Sequence, residues 1–110
     1  MTLRINESLS RQAFYTLLAV TGRPLHGYGV RNRVATDSQS RIIMAPGTVY
    51  AVLKRLERDK LVERTVPHMI SAKNVIHLYQ ITDTGREALQ NEMKFMQRAV
   101  LDARRRLELY

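Results

Sequence analysis

From Pro46 to Val66 an amphipathic helical repeat runs with no linker into a β-branched segment, and this junction restricts the fold more than any other stretch of the chain. Residues taken at 100° intervals place Val49, Val52, Leu53 and Leu56 on one face, and Gly47, Ala51, Lys54 and Arg58 on the opposite one, with Thr48, Tyr50 and Arg55 on the flanks. The first face needs a core. The second is small near its start and cationic further on. Pro46 sits where proline suits a helix entrance.

The neighbouring segments say what core is available. Leu9, Ala13, Phe14, Leu17, Leu18 and Val20 repeat at helical spacing from about Ser8 to Thr21, and Gly22, Arg23 and Pro24 stop that helix. A second short helix starts near Leu25-His26-Gly27, carries Tyr28, Val30 and Val34, and fades into the loop Thr36-Asp37-Ser38-Gln39-Ser40. Val62 to Val66 reads as a strand, Pro67 to Asn74 as a turn region, and Val75 to Ile81 as a second strand, so the pair makes a hairpin. Thr82 and Asp83 look like the N-cap and first-turn acid of a long helix running nearly to Tyr110, although Gly85 rules out a capping box.

The predicted fold is therefore α+β, mostly α. Its order is that of a winged helix-turn-helix, three helices and a β-hairpin wing, followed by a long C-terminal helix. The expected division is 1–81 for the winged unit and 82–110 for the last helix. At 110 residues there is material for one small domain with a modest core.

Charge then suggests a partner. The excess of 18 Lys and Arg over 10 Asp and Glu leaves the chain at +8, which favours a polyanion. Small residues let a helix backbone approach a groove, while Lys and Arg reach phosphates or the acceptors on guanine edges. On this reading Thr48, Tyr50, Ala51, Lys54, Arg55 and Arg58 meet DNA from the third helix, and Lys73, the one certain cation of the wing, meets it from the hairpin. Two alternatives stay open: a solvated face paired locally with Glu57 and Asp59, and a protein–protein adaptor in which Ala51, Lys54 and Arg58 meet an acidic partner.

Other classes have little support. There is no cysteine, so neither disulfides nor thiolate metal sites are available. His26, His68 and His77 lack metal-ligand spacing and are expected at a helix start, in the turn and on a strand face. No nucleophile elbow or Gly-rich phosphate loop is present, so neither an enzyme nor a cofactor is expected. The N-terminus lacks a signal pattern and no apolar run is long enough to span a membrane, which makes the cytoplasm the expected location.

Four marks in order give the chain a family likeness: Leu17-Leu18 followed by Gly22-Arg23-Pro24-Leu25-His26-Gly27-Tyr28, then Pro46-Gly47-Thr48-Val49-Tyr50, then Leu53-Lys54-Arg55-Leu56-Glu57, and last Tyr79-Gln80-Ile81-Thr82-Asp83-Thr84-Gly85-Arg86. With them the chain resembles the PadR family of bacterial transcriptional regulators, from Phe14 to the last helix, and is similar to its shorter branch with a single C-terminal helix. The resemblance implies a homodimer that binds an operator near a promoter and usually represses. Three features depart from the pattern. Position 51 is alanine where such proteins often have proline, the segment Pro67 to Asn74 is less basic than the family's usual wing, and there is no tryptophan of the kind some relatives use to stack flat drugs.

Dimerisation has support of its own. Leu89, Met93, Met96, Val100, Ala103 and Leu107 follow a two-in-seven spacing suited to pairing with another helix. The alternative is that this stripe packs only on the chain's own first helix. Near it, Met93, Phe95, Met96, Ala99 and Val100, with Phe14 and Tyr15 from the first helix, are candidates to line a gap for a hydrophobic or aromatic effector, since methionine adapts to differently shaped ligands. The same residues can equally close on one another and leave no pocket.

Overall fold

A computed structural model describes residues 8–65, 68–69 and 75–108, with residues 68, 69, 75 and 76 described by backbone alone. The elements are α1 (Arg11–Ala19), α2 (Gly27–Asp37), α3 (Pro46–Arg58), β1 (Val62–Arg64), β2 (His68–Met69), β3 (Val75–Ile76), β4 (Tyr79–Ile81) and α4 (Asp83–Glu108). This is the expected order of helices, hairpin and long last helix. The first helix is shorter than its apolar repeat: Ser10 caps it by accepting from the Ala13 amide at 3.1 Å, so Ser8 and Leu9 precede it. Leu18, expected in its apolar stripe, stays 37% exposed on the outer flank.

The core is where the three stripes meet. Leu17, Val30, Val34, Val49 and Leu53 are fully or almost fully buried between α1, α2 and α3, with Leu61, Val62 and Ile81 closing the side toward the hairpin. Burying a Val or Leu side chain stabilises by roughly 1.5–3 kcal/mol, so this cluster holds the three helices in fixed relation.

The hairpin differs from the two simple strands that its β-propensity predicts. β1 pairs antiparallel with β4 in the register Val62↔Ile81, Glu63↔Gln80 and Arg64↔Tyr79, while β2 pairs with β3 as His68↔Ile76 and Met69↔Val75. Three residues separate Arg64 from His68 but two separate Ile76 from Tyr79, so the two ladders are offset by one residue. His68 and Met69 are thus strand residues where a turn was expected, and exposed His77 lies between β3 and β4 instead of on a strand face. Leu25 adds a bridge on the other edge of β4, its N–H donating to the Tyr79 carbonyl at 3.0 Å and its carbonyl accepting from the Tyr79 N–H at 2.8 Å.

Thr82 fixes the start of α4. Its hydroxyl accepts from the Gly85 amide at 3.0 Å and donates to the Lys60 carbonyl at 2.7 Å, joining the last helix to the end of α3. Gly85 makes this possible. A Cβ there would run into the Leu61 carbonyl oxygen and lie 2.8 Å from Ile81 Cγ1. Ala88, Leu89 and Glu92 continue the buried side of α4, and the Glu92 carboxylate accepts from the Leu9 amide at 2.8 Å. Beyond them the helix leaves the core, and the molecule reaches 63 Å along its longest axis against 29 and 23 Å across.

Candidate nucleic-acid interface

α3 stands in the structure as its sequence predicts. Val49, Leu53 and Leu56 are buried and Val52 half-buried, while Gly47, Tyr50, Ala51, Lys54, Arg55 and Arg58 are exposed and Thr48 is half-buried. One side of the helix therefore carries six of the seven residues expected to meet DNA, five of them exposed and Thr48 half-buried. Lys73, the seventh, lies outside the described residues. A Cβ at Gly47 would meet nothing within 4 Å, so the helix entrance is open to an approaching surface.

The local ion pairs decide how much of the positive charge is free. Glu57 is taken by Arg64, with Nε to Oε2 at 2.7 Å, and the buried Asp59 faces Arg58 at 4.0 Å. Among the described residues neither Lys54 nor Arg55 has an ion-pair partner. The locally paired face thus accounts at most for Arg58, whose side chain is 70% exposed and whose contact sits at the edge of ion-pair range. Lys54 and Arg55 are one residue apart, which points them to adjacent sectors of the same outer surface.

Tyr50 is placed by a neighbour that periodicity does not reveal. Its ring crosses the start of α2, where a Cβ at Gly27 would lie 2.6 Å from the ring Cζ. α2 itself begins on His26, whose Nδ1 accepts from the Gly29 amide at 3.1 Å, so this histidine does stand at a helix start. Tyr28 is 60% exposed beside it. Arg31, one turn on, donates from Nε to the Met44 carbonyl at 2.9 Å, just before α3. Tyr28, which the sequence groups with Val30 and Val34 on the second helix, is thus exposed near the start of α3, and the half-buried Arg31, which the sequence does not single out, is tied to the segment leading into it. Their i, i+3 spacing was the available signal.

This arrangement of a framed, half-cationic helix and a hairpin can be compared with known proteins. The sequence matches the transcriptional regulator PadR-like family over residues 16–91. The chain belongs to the PadR-like family. It is a transcriptional regulator by family, and not an enzyme. No curated protein matches it. Among solved structures it is similar to a PadR family transcription regulator from Clostridium difficile R20291, at 19% identity and TM-score 0.67 over 92% of this chain and 100% of that one. A PadR-like regulator from Bacillus cereus matches at 21% identity and TM-score 0.70, covering 86% of this chain and 89% of that one. Bacillus subtilis PadR, solved in complex with operator DNA, matches at 17% identity and TM-score 0.67, covering 88% of this chain but 61% of that one. At these identities the likeness establishes a shared winged-helix fold.

The remaining expected sites divide. Along α4, Met93, Met96, Val100 and Leu107 are 45%, 37%, 51% and 76% exposed, and Ala103 is exposed as well. Leu89 departs from that seam. It is buried in the chain's own core at 6% exposure, because the first turns of α4 pack on α1 and the hairpin, so the open stripe begins at Met93. Phe14 and Tyr15 meet edge to face, with ring centroids 5.6 Å apart. They share a cavity of about 380 Å³ with Met96, the buried Glu92, Arg11 and Arg41. Met93 and Val100 instead border a shallow groove with Met96 and Leu101. Phe95, 69% exposed and 100° from Met96 around the helix, borders neither, and the exposed Ala99 does not join them.

Among the described residues no group of three His, Asp or Glu is placed to hold a metal ion. No described helix is long and apolar enough to cross a membrane.

Proposed function

We propose that this PadR-family regulator binds a pseudo-palindromic operator in double-stranded DNA as a homodimer, and acts there as a repressor. The observation that carries the DNA reading is the cationic surface of α3, where among the described residues Lys54 and Arg55 have no carboxylate partner and Tyr50 is propped on Gly27. Thr48, Tyr50, Ala51, Lys54, Arg55 and Arg58 enter a major groove, and Lys73 of the wing meets the flanking backbone. Support also comes from the fold likeness to Bacillus subtilis PadR, which was solved on operator DNA.

Residues 1–81 then form the DNA-binding unit and 82–110 the dimerisation helix, anchored in that unit by Ala88 and Leu89. Met93, Met96, Val100, Ala103 and Leu107 pair with the same stripe of a second copy. A two-fold axis between them presents two recognition helices to successive major grooves, about 34 Å apart. A hydrophobic or aromatic small molecule seated between Phe14, Tyr15 and Met96 releases the operator by favouring a different separation of the two helices, an effect that requires unequal affinity for the two forms. The site of action is the cytoplasm.

A salt titration on a duplex spanning the protein's own promoter tests the DNA reading. Affinity falls by roughly a thousandfold between about 50 and 200 mM salt if several phosphates are neutralised per dimer. A flat response favours the adaptor, in which the same face meets an acidic protein.

A further inference from the structure

Arg31 on α2 is held from two sides. Its Nε donates to the Met44 carbonyl at 2.9 Å, and its guanidinium lies over the Tyr28 ring, 5.8 Å from the centroid. The bond to Met44 engages one of five guanidinium donors and leaves four. Among the described residues no carboxylate pairs with it, although Glu57 and Asp59 each face an arginine elsewhere. A guanidinium that is oriented in advance and left without a counter-charge suits a fixed anion, because little side-chain freedom remains to be lost on binding.

Its position names the anion. Met44 stands two residues before Pro46, the first residue of α3, and the Tyr50 ring crosses Gly27 on α2. Tyr28 and Arg31 lie within about 60° of each other on α2, Gly27 just before Tyr28 meets the Tyr50 ring of α3, and Arg31 is bonded to Met44 just ahead of α3. In a helix-turn-helix the recognition helix enters the groove and the helix before it crosses the sugar-phosphate backbone. We infer that Arg31, backed by Tyr28, is a positioning contact to a DNA phosphate at the edge of the groove that α3 enters. The inference rests on the DNA reading of α3 and adds α2 to the interface. Because phosphates carry no sequence information, Arg31 sets affinity and register and leaves sequence choice to α3.

The test is binding of the full-length chain to a promoter duplex and to a random duplex of equal length, measured by fluorescence anisotropy across a salt series. Arg31→Gln keeps a donor for the Met44 carbonyl and removes the charge, while Arg31→Ala removes both. Each variant is expected to bind roughly tenfold more weakly to both duplexes, with a log–log salt slope shallower by about 0.9 per protomer. Circular dichroism melting checks the fold, and Arg31→Gln carries the test if Arg31→Ala does not fold. Unchanged affinity and slope for Arg31→Gln, alongside a weakened Lys54→Ala control, would remove Arg31 from the interface and leave α3 in place. A loss confined to the promoter duplex overturns the phosphate role in favour of base reading. Wild-type protein that shows no salt-sensitive binding at all removes both readings together.

Discussion

Tyr50 of α3 lies across Gly27, the first residue of α2, so closely that a Cβ at position 27 would stand 2.7 Å from the ring hydroxyl and 2.8 Å from Cε1. The ring is 54% exposed, and its far end is what meets Gly27, so it can swing aside. Alanine at a helix start also gains propensity over glycine. Gly27→Ala is therefore expected to change stability by less than about 1 kcal/mol while moving Tyr50 and weakening DNA binding. In a Tyr50→Ala background the same substitution adds nothing further to the binding loss. Melting curves and binding isotherms of the two single mutants and the double mutant check this.

Gly85→Ala has the opposite outcome. The atoms that a methyl group would strike are the Leu61 backbone carbonyl and Ile81, which belong to the core and cannot step aside. A destabilisation of about 3 kcal/mol is expected, read from the urea midpoint. An unchanged midpoint would mean that α4 begins farther from Leu61 than described.

Burial of Tyr79, with the Glu57 carboxylate as a second cause, raises its hydroxyl above the ordinary value of 10.0. The folded chain keeps this proton at a pH where the unfolded chain has released it. Its contribution is thus fully present below the ordinary value and is lost as pH rises from there through the raised value of the folded chain. Tyr79→Phe is expected to flatten the alkaline fall in denaturation midpoint between about pH 9 and pH 11. An identical fall in the variant would assign it to other groups.

Met96 is 37% exposed in the single chain, so an aspartate there meets water unless a second copy covers it. Met96→Asp should leave the winged core folded and shift sedimentation from dimer to monomer, because burying an unpaired charge costs several kcal/mol. Operator binding weakens with it. A variant that stays dimeric places the interface elsewhere.

The face of α3 was legible because one physical rule determines it: Val49, Leu53 and Leu56 recur at helical spacing and all three are buried. The same rule told less about α4. Periodicity shows that Leu89 and Met93 share a stripe, yet which neighbour covers each depends on where the hairpin returns the chain, and Leu89 falls inside the core while Met93 does not. The offset between the two ladders of the hairpin was also out of reach, since β-propensity describes strands and not their register. Contacts such as Tyr50 on Gly27, or Arg31 on the Met44 carbonyl, join residues thirteen or more positions apart and leave no local pattern. Electrostatic pairing was half legible: the sequence offered Glu57 and Asp59 as partners for the helix cations, and the structure gives Glu57 to Arg64.

The central claim is that α3 reads sequence while the surrounding cations supply affinity. It is tested most directly by the ratio of dissociation constants for a footprinted promoter site and a scrambled duplex of the same length, measured at one salt concentration for wild type, Thr48→Ala, Arg55→Ala and Lys54→Ala. Loss of a good base contact is worth about 1–3 kcal/mol of discrimination, so the ratio should shrink by roughly tenfold or more for Thr48→Ala or Arg55→Ala, with less change for Lys54→Ala. Equal losses on both duplexes for every variant, with the ratio held at its wild-type value, would contradict the assignment of α3 as the recognition helix.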